Sequence, residues 1–440
     1  MPVDLFADMR RCPRWRELDA GQRKEYWASL ALRHCRGLGA RSCFKLAHAC
    51  GSAHAAVQRN AEWTEFGLRP EPGAALRSGE WRVTAREEWD AAVRLNPCIL
   101  LWTDPLYPPL LRMLPDAPLI LYCDGDVSLL RSPCFAVVGA RKAGEQARAV
   151  AAHMARYLAA GGLAVVSGMA QGIDAAVHGS ALREIGRSIG VLGTGIDVAY
   201  PMSNRGLFER MRCEGLLLSE FAPGTRPQPG NFPIRNRIIS GLSLGVLVVE
   251  AAERSGSLIT ARLALEQNRE VYAVPGAALD SHNFGTHNLV RQGAHPVFSA
   301  EDILRDLAPR LRDYGVSRLR LQALGEAERS ASTPEGAAAI PEERRLPVPS
   351  SDVRAPAPVA AAPEPGAMRA TSENNAASLS GVSGEGMRIL AALRCHGALQ
   401  ADELAAATSL ESAALNAALI SLELLGQVRR LPGARYEALA

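Results

Sequence analysis

The sequence predicts an α/β protein: a doubly wound parallel sheet, preceded by helices and followed by a winged helix. Three observations predict it. Apolar runs at 135–138, 163–166, 190–192, 215–218, 245–249 and 271–274 recur roughly every 25–30 residues, and most pass through turn residues into helical patterns. Short continuous Val/Ile/Leu runs alternating with helices mark strands buried on both faces of a parallel sheet. Ahead of them, residues 1–130 carry helical patterns. Behind them, "MRILAALRC", "QADELAAAT" and "ESAALNAALISLELLG" read as three short helices and "QVRRLPGARYEAL" as a hairpin.

In chain order, residues 1–104 are expected to form a helical domain. Within it, "ALRHCRGLGARSCFKLAHACGS" (31–52) joins two amphipathic helices through Gly37-Leu38-Gly39. This is either a helix–hairpin–helix whose turn amides meet a phosphate or an ordinary αα-hairpin. Residues 105–315 form the sheet domain. Residues 316–383 are expected to be a disordered Pro/Ala-rich linker, because the eight prolines between 334 and 365 sit among Ala, Glu and Ser. That composition cannot bury enough apolar surface to offset the entropy of folding. Residues 384–440 are expected to form the winged helix.

Composition narrows the class. Hydrophobic residues make up 48% of the 440, enough for a large core, but no apolar run approaches the length of a membrane span. The start, "MPVDLFADMRRC", lacks an apolar h-region, so a cytoplasmic protein is expected. The nine cysteines are scattered without a C-x-x-C pair, which argues against zinc and disulfide frameworks; no metal site is expected. A net charge of +3 does not by itself announce a nucleic-acid binder. Of the 49 basic residues only Lys24, Lys45 and Lys142 are lysines, a bias that a GC-rich genome explains.

In a doubly wound sheet, ligands sit beyond the carboxyl ends of the strands, so the turns there should carry function. The first, "VVGARKAGEQ", is not the G-x-G-x-x-G of dinucleotide folds, and no G-x-x-x-x-G-K-[ST] occurs. The acid expected at the end of the second strand is missing. Ser167, Asp174 and His178 resemble a hydrolase triad on paper, yet no G-x-S-x-G elbow surrounds the serine. Glu220 and Glu250 both end strands, either as paired carboxylates or as partners of nearby arginines and loop amides. No catalytic residue and no cofactor is assigned.

The informative turn is "NFPIRNRIISGLS" (231–243). Arg235 and Arg237 flank Asn236 near a helix start, two guanidiniums suited to bidentate phosphate contacts. Phe232 stands at the turn, where a ring could stack on a splayed base as single-strand binders use aromatics. The alternative is a core phenylalanine with internally paired arginines.

Taken together, G-A-R at 139–141, S-G-x-A-x-G-I-D at 167–174, G-x-x-x-x-Y-P at 195–201, S-E at 219–220, the 231–243 stretch and S-G-S-L-I-T-A at 255–261 resemble the DNA-processing protein A (DprA/Smf) family over about 105–300. The resemblance implies an extended Rossmann-like domain, an N-terminal helical (helix–hairpin–helix or SAM-like) domain and a C-terminal winged helix. It implies single-stranded DNA and RecA as partners, a homodimer, and a role in DNA protection, natural transformation and recombination without catalysis. Carried over by position, Gly139 and Arg141 meet phosphates and Ser167, Gly168 and Gly172 supply donors. Phe232 stacks, and Ser255, Gly256 and Ser257 form a second amide-rich turn. The chain departs from the family at Ala140, where many members have a hydroxyl residue, and at Pro229, where some have a lysine; Arg226 would substitute for the latter.

Two rivals remain. A Rossmann-like nucleotide monophosphate phosphoribohydrolase would carry P-G-G-x-G-T-x-x-E, whereas this chain has "ERSGSLITARLALE". A winged-helix transcription regulator needs a basic recognition helix, yet 411–425 holds Glu411 and Glu423 and no Lys or Arg, with Arg429, Arg430 and Arg435 only on the wing.

Overall fold

The computed structural model describes residues 12–316, 328, 384–396, 399–408, 410, 415, 418, 419, 422, 427–431 and 435–438. The chain divides into two compact units, Met1–Pro341 and Glu342–Ala440. The first opens with helices α1 (Ala20–His34), α2 (Ala40–Cys50), α3 (Ala53–Gln58), α4 (Pro70–Ser78) and α5 (Trp81–Leu95). Their ends follow local chemistry. Asp19 and Gln22 form a reciprocal capping box at the start of α1, and Gly51 stops α2 at φ 82°. Gly37, at φ +84°, makes the expected turn between α1 and α2. The buried Glu88 carboxylate accepts from Arg33 (2.5 Å), His34 (2.7 Å) and the Tyr122 hydroxyl (2.5 Å), tying this layer to the sheet.

The sheet is built from β1 (Cys98–Leu101), β2 (Ile120–Gly125), β3 (Cys134–Val138), β4 (Ala164–Ser167), β5 (Ser188–Val191), β6 (Leu216–Ser219), β7 (Gly245–Val248), β8 (Glu270–Ala273) and β9 (His295–Pro296). Between them lie α6 (Pro109–Arg112), α7 (Glu145–Ala160), α8 (Ile173–Ala181), α9 (Arg205–Glu214), α10 (Asn231–Leu242), α11 (Ser257–Glu266) and α12 (Phe284–Arg291); α13 (Ala300–Arg312) follows β9. The strand order is β1-β2-β6-β5-β4-β3-β7-β8-β9, with parallel pairing from β6 to β9. All six apolar runs of the sequence are parallel strands, β3 to β8. The stretch expected to be helical also supplies β1 and β2, which add to β6 in antiparallel register. The sheet therefore begins at Cys98. β3 lies between β4 and β7, so successive connections run to opposite sides of it, and a crevice opens at the carboxyl ends of β3 and β7.

In the second unit, α14 (Gly384–His396), β10 (Leu399–Gln400), α15 (Ala401–Thr408), β11 (Val428–Leu431) and β12 (Arg435–Ala438) form a helical pair and a three-stranded sheet of order β10-β12-β11. Ile389, Leu393, Leu404, Leu415, Leu419 and Leu422 share one apolar core there. On the wing Arg429 pairs with Glu437 at 2.9 Å. The expected linker lies outside the described residues apart from 316 and 328, as do Arg430's side chain and most of 411–425. No described helix is long and apolar enough to cross a membrane.

Candidate nucleic-acid interface

An open cleft of about 780 Å³ occupies the switch point between β3 and β7. One wall is the turn after β3, Gly139-Ala140-Arg141, and the opposite wall is the turn after β7, Ala252 to Ser257. Phe232 and Tyr200 form an aromatic edge. Arg235 and Asn236 of α10 line it from below.

The β3 turn is fixed by backbone contacts. Ala140 N–H donates to the Glu250 carbonyl at 2.9 Å, and Ile173 N–H donates to the Ala140 carbonyl at 3.2 Å. Gly139 packs so closely on Ile173 that a Cβ would come within 2.6 Å of its side chain. Arg141, the last residue of the turn, is exposed and makes no ion pair among the described residues. Its guanidinium lies 5.2 Å from the centroid of the Phe232 ring, within cation–π range.

The turn after β4 differs from its expected role. Ser167, Gly168 and Gly172 were expected to present donors to a ligand, but the Ser167 hydroxyl and the Gly168 N–H are engaged inside the protein, and Gly172 serves a close backbone approach. Ser167 Oγ donates to the Val137 carbonyl at 2.7 Å. The Asp174 carboxylate accepts from the N–H groups of Gly168 (3.0 Å) and Ala170 (3.2 Å). Met169 N–H donates to His178 Nε2 at 3.3 Å, and Nδ1 of that ring lies 2.7 Å from Ser188 Oγ. Ser188 Oγ itself donates to the Val165 carbonyl, so the ring proton sits on Nδ1 and the imidazole is neutral. Burial, then the nearby Arg235 charge, pushes the His178 pKa down to about 3. Burial also raises the Asp174 pKa, against the opposing pull of Arg235 and the amides. Gly172, at φ +78°, lets the turn approach the Ala140 and Arg141 carbonyls, where a Cβ would lie 2.4–2.5 Å from either oxygen. The S-G-x-A-x-G-I-D motif is thus the bracket that holds the Arg141 turn in place.

The arginines of α10 separate just as clearly. Arg235 is 3% exposed and donates to the Gly168 carbonyl at 2.6 Å and to the Val191 carbonyl. Burial, partly offset by Asp174, lowers its pKa to about 10. Arg237 departs from the expected phosphate contact: it is buried and bonds both Glu220 oxygens at 2.5 Å, with Asp116 at 3.8 Å. Two carboxylates compensate it, and its orientation is inward. Asn236 accepts from Arg235 Nε at 3.3 Å. Phe232 stands in the first turn of α10 rather than in a free loop and is half-buried.

On the β7 side, Glu250 is buried, with Oε1 unpartnered and its pKa raised by burial. Three strands separate β6 from β7, so Glu220 and Glu250 do not form a carboxylate pair. Gly256 is the exposed N-cap of α11, without a side-chain cap, and Ser255 Oγ and Ser257 Oγ are 2.8 Å apart. The helix therefore directs its positive end at the cleft. Arg226 is exposed on the 224–230 loop, whose Pro227 and Pro229 line the cleft, while its own side chain does not. Tyr200, the Tyr of the G-x-x-x-x-Y-P motif, and Arg254, just before S-G-S-L-I-T-A, were not among the expected site residues; only the fold turns both toward one cleft.

Residues 98–308 match the family model described as DNA recombination-mediator protein A, and residues 373–434 match that of the DprA winged helix domain. Protein Smf of Synechocystis sp. is 36% identical over 347 residues, 78% of this chain and 80% of the relative. DNA processing protein DprA of Streptococcus pneumoniae is 44% identical over 203 residues, 46% of this chain and 72% of the relative. The X-ray structure of DprA from Streptococcus pneumoniae matches with a TM-score of 0.57 and 34% identity, covering 64% of this chain and 97% of that one. Both family regions occur here in order, and one relative aligns over four-fifths of its length. The chain belongs to the DprA/Smf family.

Proposed function

We propose that the switch-point cleft binds the backbone of single-stranded DNA and that the chain serves as a recombination mediator without catalysing a reaction. One observation carries this reading: an exposed, unpaired Arg141 stands at the aromatic edge formed by Phe232 and Tyr200, between two strand-end turns. A cation for phosphates beside an aromatic face for bases is how single strands are held with little sequence dependence. Arg141 makes the principal phosphate contact, and Gly139, packed against Ile173, holds the turn that presents it. Ser255, Gly256 and Ser257 form the opposite amide-rich wall, and Arg226, exposed on the 224–230 loop outside the cleft, meets the strand where it leaves. Arg235 contributes its field from below, and Arg237 holds Glu220. The absence of catalysis is supported by Ser167, Asp174 and His178, whose polar groups are tied up in holding a turn. The relative's name, DNA processing protein, and the family description, recombination-mediator protein, support the DNA-binding part of this reading.

The rest of the proposal follows from family membership. The protein acts in the cytoplasm as a homodimer that loads RecA onto the strand during natural transformation and recombination. Its helical domain ends before β1, the sheet domain runs from 98 to 315, and 316–383 is the linker to the winged helix at 384–440. A mobility shift with single-stranded and duplex oligonucleotides across a salt series tests the binding. Preference for the single strand, with log affinity falling linearly with log salt, is expected. Equal or tighter binding of duplex at matched salt refutes it.

A further inference from the structure

We propose that Tyr200 is the outer ring of a two-ring ledge and that an unpaired nucleobase stacks on it. The inference rests on the single-strand reading of the same cleft and assigns the stacking surface within it. Phe232, the ring the sequence points to, is hemmed in. Gly193 lies so close beneath it that a Cβ there would come 2.7 Å from Phe232 Cδ1. Arg141 lies over the ring at 5.2 Å. An incoming base therefore meets Phe232 only after Arg141 moves.

Tyr200 is placed differently. It is 39% exposed, and its ring centroid lies 5.5 Å from that of Phe232 with the planes 36° apart, so it continues the aromatic surface outward. It lines both the main cleft and a small hollow behind it, shared with Arg141 and Gly193. The turn that displays it is held firmly. Thr194 Oγ1 donates to the Val198 carbonyl at 2.8 Å, Gly195 N–H to the Thr225 carbonyl at 2.9 Å, and Asp197 accepts from Gly224 N–H at 2.7 Å. The Tyr200 hydroxyl makes no hydrogen bond among the described residues, so no polar contact within the protein explains an exposed tyrosine at this position. A rigid turn, a ring backed by a second ring and an adjacent free guanidinium together suit one nucleotide: base on Tyr200, phosphate on Arg141. Stacking of this kind accepts any base, because each has a π-face.

The experiment compares the full chain with Tyr200→Phe, Tyr200→Leu, Tyr200→Ala and Arg141→Ala. It reads affinity for oligothymidylate carrying one 2-aminopurine, the quenching of that base on binding, and melting temperature. Tyr200→Phe is expected to bind and quench as the wild type does. Tyr200→Leu, which keeps bulk without a π-face, is expected to weaken binding about tenfold, the loss usual for one stacked base, and to lose quenching. If the alanine variant fails to fold, the Phe/Leu pair decides alone. Wild-type affinity and quenching in Tyr200→Leu overturn the proposal. If Arg141→Ala is weakened in that case, the single-strand reading of the cleft stands without Tyr200. If Arg141→Ala also binds normally, both fall.

Discussion

Gly172→Ala tests whether the turn after β4 works as a bracket rather than as a ligand contact. Gly172 adopts φ +78°, a conformation that residues with a side chain rarely take. Its missing Cβ would lie 2.4 Å from the Ala140 oxygen, 2.5 Å from the Arg141 oxygen and 2.8 Å from the Arg141 carbonyl carbon. All three are backbone atoms, so no side-chain rotation relieves the clash. Strain at such a φ costs about 1–3 kcal/mol, and overpacking a tight site another 1–3 kcal/mol. A loss near 4 kcal/mol corresponds to a fall in melting temperature on the order of 10 °C for a domain of this size. The clash falls on the turn carrying Arg141, so the surviving folded protein should also bind single-stranded DNA about tenfold more weakly, a drop of about 1.4 kcal/mol. Scanning calorimetry and fluorescence anisotropy with labelled oligothymidylate read both effects. Gly179→Ala is the control. It lies in α8 with nothing within 4 Å of a new Cβ, so it should stabilise by about 0.5–1 kcal/mol and leave binding unchanged. If Gly172→Ala melts within about 2 °C of the wild type and binds normally, the bracket argument is wrong.

Arg141→Ala should weaken binding to all single-stranded sequences alike and reduce the slope of log affinity against log salt by about 0.7, the share of one phosphate contact; an unchanged slope would remove Arg141 from the interface. Phe232→Ala should cost about 1–3 kcal/mol of stability, less than the 3–5 kcal/mol of a fully buried ring, because the side chain is half-buried; a loss at the full value would make it a core residue. His178 supplies a pH signature. Its folded pKa of about 3 lies below the unfolded value near 6.5, so the unfolded chain binds the extra proton in that interval. Its contribution is complete above about pH 6.5 and declines by about 1.4 kcal/mol per unit as pH falls below it. The raised Asp174 pKa opposes this slope, so the signal is the difference between wild type and a variant without the imidazole over the window from about pH 6.5 to 5, in which the Asp174 share cancels. Urea titrations of wild type and His178→Gln across that window should give a steeper pH dependence for the wild type, and parallel curves would show that the imidazole titrates normally.

The layer structure is legible in the sequence. Runs such as Phe135–Val138 and Val246–Val248 are short, continuous and apolar because both faces of a parallel strand are buried, and that demand is written in neighbouring residues. The sequence also pointed to the strand ends, where turns rich in Gly, Ser and Arg cluster after those runs, and the fold gathers several of those turns around one cleft. The strands Cys98–Leu101 and Ile120–Gly125 were not legible. They add in antiparallel register to a sheet edge without the strand–helix alternation that exposed the others. Which polar groups face outward depends on the folded chain. Asp174 reaches back from the first turn of its helix to take two amides, a matter of direction that composition does not encode. Arg141 on the β3 turn and Arg235 and Arg237 on α10 carry one chemistry, yet one is exposed, one is bound to buried carbonyls and one is paired with carboxylates. Periodicity is set by adjacent residues and survives in the sequence. The heading of a guanidinium is set by what distant segments leave open around it, here the meeting of β3, β7 and the start of α10.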